Sequence, residues 1–232
     1  MKLSHINALA EAAENRSPVA FCIRLTDGFA HIFPDPEMPT ELSELAATAL
    51  AMDQSETVIV GDTKWFIEAR NPAPRIIVVG AVHIAQELSR LAAQVGFEMI
   101  IVDPRRAFST ADRFPGAAIR TEWPDEAIDN LAPDRRTAVV ALAHDPKLDD
   151  PALIRALSSD AFYVGALGSV STHARRLGRL REAGVADSSM ARLSAPVGLD
   201  IGARSASEIA VSIMAEIIAA RHGKLHVGDR RR

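Results

Sequence analysis

The chain has 232 residues, of which 48% are hydrophobic and 24% are charged, and its formal net charge is -4. This composition predicts a globular protein with one domain of ordinary size and a smaller additional one. The charge gives no general basic field for nucleic acid, so Arg230–Arg232 is predicted to be a solvated tail. No apolar run approaches the roughly 18–20 residues that span a bilayer, and the first residues lack a signal-peptide apolar core. A cytoplasmic protein is therefore expected.

Cys22 is the only cysteine, which excludes an internal disulfide and a cysteine-rich metal site within one chain. It lies in the strand-like run VAFCIRL, where a buried small side chain is the main interpretation. The alternative is a thiol that touches a metal cofactor, and that role requires an exposed sulfur.

The first 71 residues are predicted to form a small α+β domain. Turn signals of the type Thr-Asp-Gly and Gly-Asp each separate two apolar runs, a pattern typical of β-hairpins. The predicted elements are helices over 3–14 and 40–52, and strand pairs 18–25 with 29–33 and 57–60 with 64–68. The run Asn71-Pro72-Ala73-Pro74 interrupts this pattern, because proline removes amide donors and restrains the residue before it. A domain boundary is therefore predicted after residue 71.

From residue 72 to 232 the pattern changes to apolar strands that alternate with helices. Such alternation predicts a Rossmann-like α/β fold, an open parallel sheet with helices on both faces. The predicted strands are 76–79, 99–102, 117–119, 138–142 and 161–164, and the predicted helices are 83–94, 125–130 and 151–157. Asp150 is predicted to cap the third of these helices, with Pro151 in its first turn.

A final helix is predicted from clear boundary signals. Ser205 and Glu208 have the spacing of a capping box, and Gly223 is placed to end the helix. Four isoleucines form an apolar stripe between them, and the stripe is expected to cover the sheet. They are Ile209, Ile213, Ile217 and Ile218.

The first strand of the sheet is followed by the run Gly80-Ala81-Val82-His83-Ile84-Ala85. Dinucleotide-binding turns read G-x-G-x-x-G/A, with a bare second glycine where the backbone approaches a pyrophosphate. Val82 occupies that position here, so the fold is predicted and ordinary NAD binding is disfavoured. Asp103 ends the next strand, where an acid can bind a ribose hydroxyl or, alternatively, cap the turn before Pro104.

Ligands of open parallel sheets bind beyond the carboxyl ends of the strands. Polar and glycine residues follow five of the predicted segments, and they are expected to converge on one crevice. The candidate cofactor-binding residues are Gly80, His83, Asp103, His144, Asp145, Gly165, Gly168, Ser169, Thr172, His173, Arg176, Gly198, Asp200, Gly202 and Arg204.

The run GALGSVSTHARR is the most suggestive part of this set. Hydroxyls crowd the predicted start of a helix, where free amides and the helix dipole attract anions, and Arg175 or Arg176 would complete a phosphate pocket. The alternative is that Ser169 or Ser171 only caps the helix while the arginines face water.

Two isolated histidines, His83 and His144, are each interpreted as a ligand, a proton carrier or a hydrogen-bonded wall residue. No third ligand with metal spacing accompanies them, so an independent zinc site is not expected. The sequence also has no G-x-S-x-G elbow, C-x-x-C or P-loop. No catalytic residue is assigned.

The chain resembles the XdhC/CoxI family of accessory proteins for molybdenum hydroxylases. The resemblance covers about residues 72–223 and rests on GAVHIA with VVD, AHD at 143–145, YVGALGS with STHARR, and PVGLDIGARSASEIAVSIMAEIIAAR. Family members have an S-S-P-R-like run and a G-G-C motif in an amino-terminal domain. The first 70 residues here show neither, so the resemblance is to a member with a shortened amino-terminal region.

The resemblance implies a protein that binds molybdenum cofactor, protects it during maturation and delivers it to a hydroxylase of the xanthine dehydrogenase or carbon monoxide dehydrogenase type. It implies a hydroxylase client, a possible cysteine desulfurase partner and a homodimer. Two other functions remain open from the residues: an NAD(P)-dependent oxidoreductase, and a non-catalytic partner protein whose crevice is vestigial.

Overall fold

The computed structural model describes residues 2–225, which divide into one compact unit up to Pro72 and another from Ala73 onward. The predicted tail at Arg230–Arg232 lies outside the described residues. None of the described helices is long and apolar enough to cross a membrane.

The first unit combines two helices with a four-stranded antiparallel sheet of order β2-β1-β4-β3, and both predicted hairpins are confirmed. Its elements are α1 (Leu3–Glu14), β1 (Val19–Arg24), β2 (Ala30–Phe33), α2 (Thr40–Met52), β3 (Glu56–Val60) and β4 (Thr63–Arg70). Cys22 is fully buried in β1, and burial raises the pKa of its thiol to about 11. The structure therefore supports the interpretation of Cys22 as a core side chain rather than a metal-binding thiolate.

The second unit is built on a six-stranded parallel sheet of order β10-β9-β8-β5-β6-β7, and the Rossmann-like prediction is confirmed. Its strands are β5 (Arg75–Val79), β6 (Glu98–Val102), β7 (Ala118–Arg120), β8 (Thr137–Ala141), β9 (Tyr163–Ala166) and β10 (Leu193–Ser194). Its helices are α3 (His83–Gln94), α4 (Pro124–Leu131), α5 (Pro146–Leu157), α6 (Val170–Glu182), α7 (Asp187–Met190) and α8 (Ala206–Arg221).

The central strands β5 and β8 are buried at every residue because helices cover both faces of the sheet. Side chains alternate between the faces, as the two-residue period of a strand requires. Ile76 and Val78 pack in the core that contains α3 and α8, whereas Ile77 and Val79 pack in the core that contains α4 and α5.

The helix α8 follows its sequence signals closely. The Oγ of Ser205 accepts a hydrogen bond from the Glu208 amide, and the Glu208 carboxylate accepts one from the Ser205 amide, so the capping box is confirmed. Ile213 and Ile217 are fully buried, and the other two isoleucines of the stripe pack against the same core. The stripe therefore covers the sheet as predicted.

The prediction for the start of α5 was wrong. The helix begins at Pro146 with Asp145 as its cap, the Oδ1 of which accepts the Lys147 amide at 3.0 Å, and Pro151 lies inside the helix. The physical reason is that residues 145–151 contain two Asp-Pro pairs, five positions apart, and the first pair caps the helix. The short elements α7 and β10 were not predicted, because four- and two-residue elements carry too little periodicity.

Candidate functional site

The carboxyl ends of β5 and β8 meet at the point where the crossover connections reverse direction. Gly80 follows β5 with a φ of +107°, and a Cβ at this position would lie 2.6 Å from the backbone nitrogen of Ala143, which follows β8. The bare glycine therefore allows two backbone loops to pack together. Val82 precedes the first residue of α3 and packs partly buried against the core.

Asp103 is fully buried, and both of its oxygens are engaged. Its Oδ2 accepts hydrogen bonds from the Ala81 amide at 2.8 Å and from Nη2 of Arg105 at 2.7 Å, while Oδ1 accepts from the amide and Nε of Arg105. Burial opposes ionisation, but these hydrogen bonds hold the pKa of Asp103 below its ordinary value. Of the two interpretations, the structure supports a carboxylate that closes a turn rather than one that binds a ribose.

A first cavity, which we call the α5–α6 cavity, has a volume of about 250 Å³ and lies beside the carboxyl end of β8. His144, Asp149, Thr172 and Arg176 are among the residues that line it. His144 is exposed and has a φ of +61°, a conformation uncommon for a residue with a Cβ. Asp149 stabilises this turn, because its Oδ1 accepts the backbone amide of the residue before His144 at 3.1 Å.

Three arginines of α6 border the α5–α6 cavity, and they differ in exposure and in their partners. Arg175 is exposed, and Arg179 forms a two-point ion pair with Asp150, one arm of which measures 3.1 Å. Arg176 is only 2% exposed and donates from Nη2 to the Leu167 carbonyl at 2.9 Å. The alternative in which both arginines face water therefore fits Arg175 but not Arg176.

A second cavity, which we call the α8 cavity, has a volume of about 340 Å³ and is bordered by the loop 195–203 and one side of α8. Glu216 is buried in α8 and holds the loop, since its Oε2 accepts hydrogen bonds from the Tyr163 hydroxyl and the Gly198 amide, each at 2.5 Å. Gly198 has a φ of +97°, and a Cβ there would meet the Oγ of Ser212. Only glycine fits this close approach.

The start of α6 separates the two cavities. Ser169 caps the helix by accepting the Thr172 amide at 3.2 Å. Val170 lines the α8 cavity, whereas Thr172 lines the α5–α6 cavity. The helix start therefore lies beside both.

The predicted site residues fall into two groups by position. Those that border a cavity or the helix start between them are His144, Gly168, Ser169, Thr172, Arg176, Gly198, Asp200 and Gly202. Those that line neither cavity are Gly80, His83, Asp103, Asp145, Gly165, His173 and Arg204.

Several residues of the second group have structural contacts instead, whereas the Nδ1 of His173 is buried without a hydrogen-bond partner among the described residues. Gly165 lies inside β9 and packs against Tyr163 and Val197, because the strand runs two residues further than predicted. His83 is exposed at the start of α3, and the backbone amide of Arg204 donates to the capping-box Glu208. Burial lowers the pKa of His173, which borders a shallow depression near α7. Within residues 2–225 there is no group of three or more His, Cys, Asp or Glu side chains suited to a metal ion.

Sequence reasoning missed three acids of the site: Asp149, Asp150 and Glu216. The misplaced start of α5 left Asp149 outside the helix and gave Asp150 the role of its cap, so their ion pairs with α6 were not predicted. For Glu216 a signal was available, because it stands between Ile213 and Ile217 in an otherwise apolar stripe. An acid on a buried helix face needs a hydrogen-bonding partner, so its position predicts an internal role.

The comparisons with known proteins agree with this architecture. Residues 76–217 match a family model described as the XdhC Rossmann domain. The chain is 34% identical over 160 residues to a probable xanthine dehydrogenase subunit of Bacillus subtilis, a match that covers 68% of this chain and 46% of that protein. It is 33% identical over 150 residues to the molybdenum cofactor insertion chaperone PaoD of Escherichia coli, which covers 65% of this chain and 41% of that protein. The chain thus spans less than half the length of these relatives.

A solved structure shares the fold. A Bacillus halodurans protein described as a xanthine dehydrogenase matches with a TM-score of 0.68 at 22% identity, over 96% of this chain and 65% of that chain. Since the family model matches more than half of the sequence, the chain belongs to the XdhC family.

Proposed function

We propose that this chain is an accessory protein that binds molybdenum cofactor and assists the maturation of a molybdenum hydroxylase. The observation that carries the proposal is the pair of cavities on either side of the start of α6, at the carboxyl ends of β8 and β9. One is lined by arginines and the other largely by apolar side chains. Such a pair suits a ligand with an anionic end and a flat ring system.

The donors of this chain fit that cofactor on structural grounds. Molybdopterin carries a phosphate, and the buried guanidinium of Arg176 has two nitrogens, Nε and Nη1, without a hydrogen-bond partner among the described residues. The pterin is a planar ring system, and the α8 cavity of about 340 Å³ has the size class of a small-ligand site. The bound group would supply the molybdenum chemistry, whereas the role of this chain would be to hold it and shield it from water.

The names of the relatives support the same role. One is called a molybdenum cofactor insertion chaperone and another a probable xanthine dehydrogenase subunit. We extend the proposal to a hydroxylase client of the xanthine dehydrogenase or carbon monoxide dehydrogenase type. A cysteine desulfurase partner, a homodimeric state, a cytoplasmic location and the domain boundary after residue 71 are further parts of this proposal.

An NAD(P)-dependent activity is the weaker candidate. The carboxylate that would bind a ribose, Asp103, is buried under Arg105, and the glycine turn packs against the loop after β8. Equilibrium dialysis with NADH and NADPH tests it directly, and tight binding of either would favour the oxidoreductase.

The proposed function is tested by titrating the purified protein with molybdenum cofactor released from a hydroxylase. We expect binding in the micromolar range or tighter. Ile201→Asp places a charge in the wall of the α8 cavity and should weaken binding by about tenfold or more. Val211→Asp is the matched control, since both side chains are exposed and apolar but Val211 does not line the cavity. Absence of cofactor binding by the unaltered protein contradicts the proposal.

A further inference from the structure

The guanidinium of Arg176 is buried with unmet hydrogen-bonding capacity. It is 2% exposed, its Nη2 donates to the Leu167 carbonyl, and its Nε and Nη1 have no partner among residues 2–225. Burial lowers its pKa from the ordinary value. Because a buried guanidinium with free donors is costly, this position calls for an acceptor that residues 2–225 do not provide.

The nearest acid does not satisfy Arg176. The Oδ2 of Asp149 lies 3.7 Å from Nη2, too far for a hydrogen bond, and it also has no hydrogen-bond partner among the described residues. Burial raises the pKa of Asp149 to about 6. Asp149 and Arg176 still attract each other electrostatically, but the pair leaves Nε and Nη1 of Arg176 without an acceptor among the described residues.

The free donors of Arg176 lie near the start of α6. A Cβ placed on Gly168 would be 3.8 Å from Nη1, and Gly168 directly precedes the capping residue Ser169. The helix has 13 residues, and the first amides of a helix lack intrahelical partners. The amides of the first turn and the dipole of α6 therefore add to the attraction of an anion at this point.

The charges around the α5–α6 cavity favour an anion at the end near the start of α6. Arg179 is paired with Asp150, so its charge is largely compensated. Arg175 is exposed at the rim, and Thr172 offers a hydroxyl whose Oγ1 lies 3.0 Å from the Oγ of Ser169. Arg176 lies 3.7 Å from Asp149, so three arginines face two acids and an excess of positive charge remains near Arg175 and the helix start.

We propose that the α5–α6 cavity binds the terminal phosphate monoester of a ligand, with Arg176 as its buried anchor and the start of α6 as its second donor set. A phosphate monoester carries a charge of about -1.5 to -2 at pH 7 and three acceptor oxygens, enough to satisfy both Nε and Nη1. None of the residues 80–82 of the glycine turn, where dinucleotide folds hold their phosphates, lines this cavity. The identity of the ligand as molybdenum cofactor depends on the proposed function, whereas the phosphate subsite does not.

The first test uses inorganic phosphate as the probe, titrated calorimetrically at constant ionic strength. We expect saturable binding by the unaltered protein and about tenfold weaker binding by Arg176→Met, which replaces the apolar stem of the side chain but removes its donors. Arg175→Gln, at an exposed position, should weaken binding by about two- to fivefold. Arg181→Gln on the same helix is the matched control, because Arg181 pairs with Asp187 and lies outside the cavity.

Circular dichroism shows whether Arg176→Met folds, and if it does not, Arg175→Gln and Thr172→Val decide the outcome. Absence of saturable phosphate binding, or equal affinities for all variants, overturns the subsite. A second arm compares intact cofactor with cofactor treated with phosphatase. Equal affinity for the two forms overturns the subsite and leaves the proposed function standing. Phosphate binding that depends on Arg176, with no binding of either cofactor form, supports the subsite and contradicts the proposed function.

Discussion

Glu216 is expected to hold the loop 195–203 in place, and its replacement by alanine tests that role. The change removes one carboxylate oxygen that accepts from both the Tyr163 hydroxyl and the Gly198 amide at 2.5 Å. A hydrogen bond to a charged group contributes about 1.5–3 kcal/mol, so the two together predict a loss of about 3–6 kcal/mol in the free energy of unfolding. Tyr163→Phe removes one of the two bonds and should cost about half as much.

Urea unfolding at 25 °C, followed by circular dichroism, measures these losses. Hydrogen exchange at the Gly198 amide gives a local measurement, and we expect it to accelerate in Glu216→Ala more than in Tyr163→Phe. Val211→Ala, on the exposed side of the same helix, is the control and should change stability by less than about 0.5 kcal/mol. A loss of less than about 1 kcal/mol for Glu216→Ala would refute the reasoning.

Three further changes test the described contacts. Gly80→Ala should lower the free energy of unfolding by about 2–5 kcal/mol, because it adds a clash with the Ala143 backbone to the strain of a positive φ. Gly96→Ala has the same strain but no neighbour within 4 Å, so it should cost about 1–2 kcal/mol in the same urea assay. Relative to Asp149→Asn, the unaltered protein should lose up to about 1.4 kcal/mol of stability per pH unit as the pH rises from about 4 to 6. The reason is that the folded state keeps the proton of Asp149 to about pH 6, whereas the unfolded state releases it near pH 4. Ser205→Ala removes the cap of α8 and should cost about 1 kcal/mol by thermal unfolding.

Each of these has a contradicting result. Equal losses for Gly80→Ala and Gly96→Ala would mean that the approach to Ala143 is relieved by a small loop movement. If the stability of the unaltered protein relative to Asp149→Asn stays constant or increases with pH, that result contradicts a raised pKa of Asp149. No measurable change for Ser205→Ala would show that the helix start is held by packing alone.

The sequence predicted the architecture because its signals are local or periodic. Apolar strands, the capping box of α8 and the hairpin turns each occupy a few consecutive residues, and their spacing follows backbone geometry. Val82 in place of a glycine predicts the fold without ordinary dinucleotide binding, and the second half of that statement stays a prediction. The alternatives for Asp103 could not be decided from sequence, because the choice depends on whether Arg105 folds back over it.

The candidate site was harder to predict because its contacts join distant segments. Arg175 and Arg176 are neighbours of the same type in the chain, yet one is exposed and the other buried. Only the packing of α6 against α5 distinguishes them. The buried role of Asp149 depends likewise on where α5 begins, and the sequence offers two equivalent Asp-Pro pairs for that start.

The residue at which α5 begins also decides which acids face the neighbouring helix α6. Because α5 begins at Pro146, its opening turns present Asp149 and Asp150 towards two cations of the neighbouring helix, Arg176 and Arg179. A helix that began one Asp-Pro pair later would leave Asp149 in a connecting loop and would make Asp150 its cap, so neither acid would be placed as it is now. The proline at which α5 begins thus determines whether acids of α5 face the arginines of α6 across the α5–α6 cavity. Replacing Pro146, which itself borders the α5–α6 cavity, would test whether the first Asp-Pro pair fixes this start.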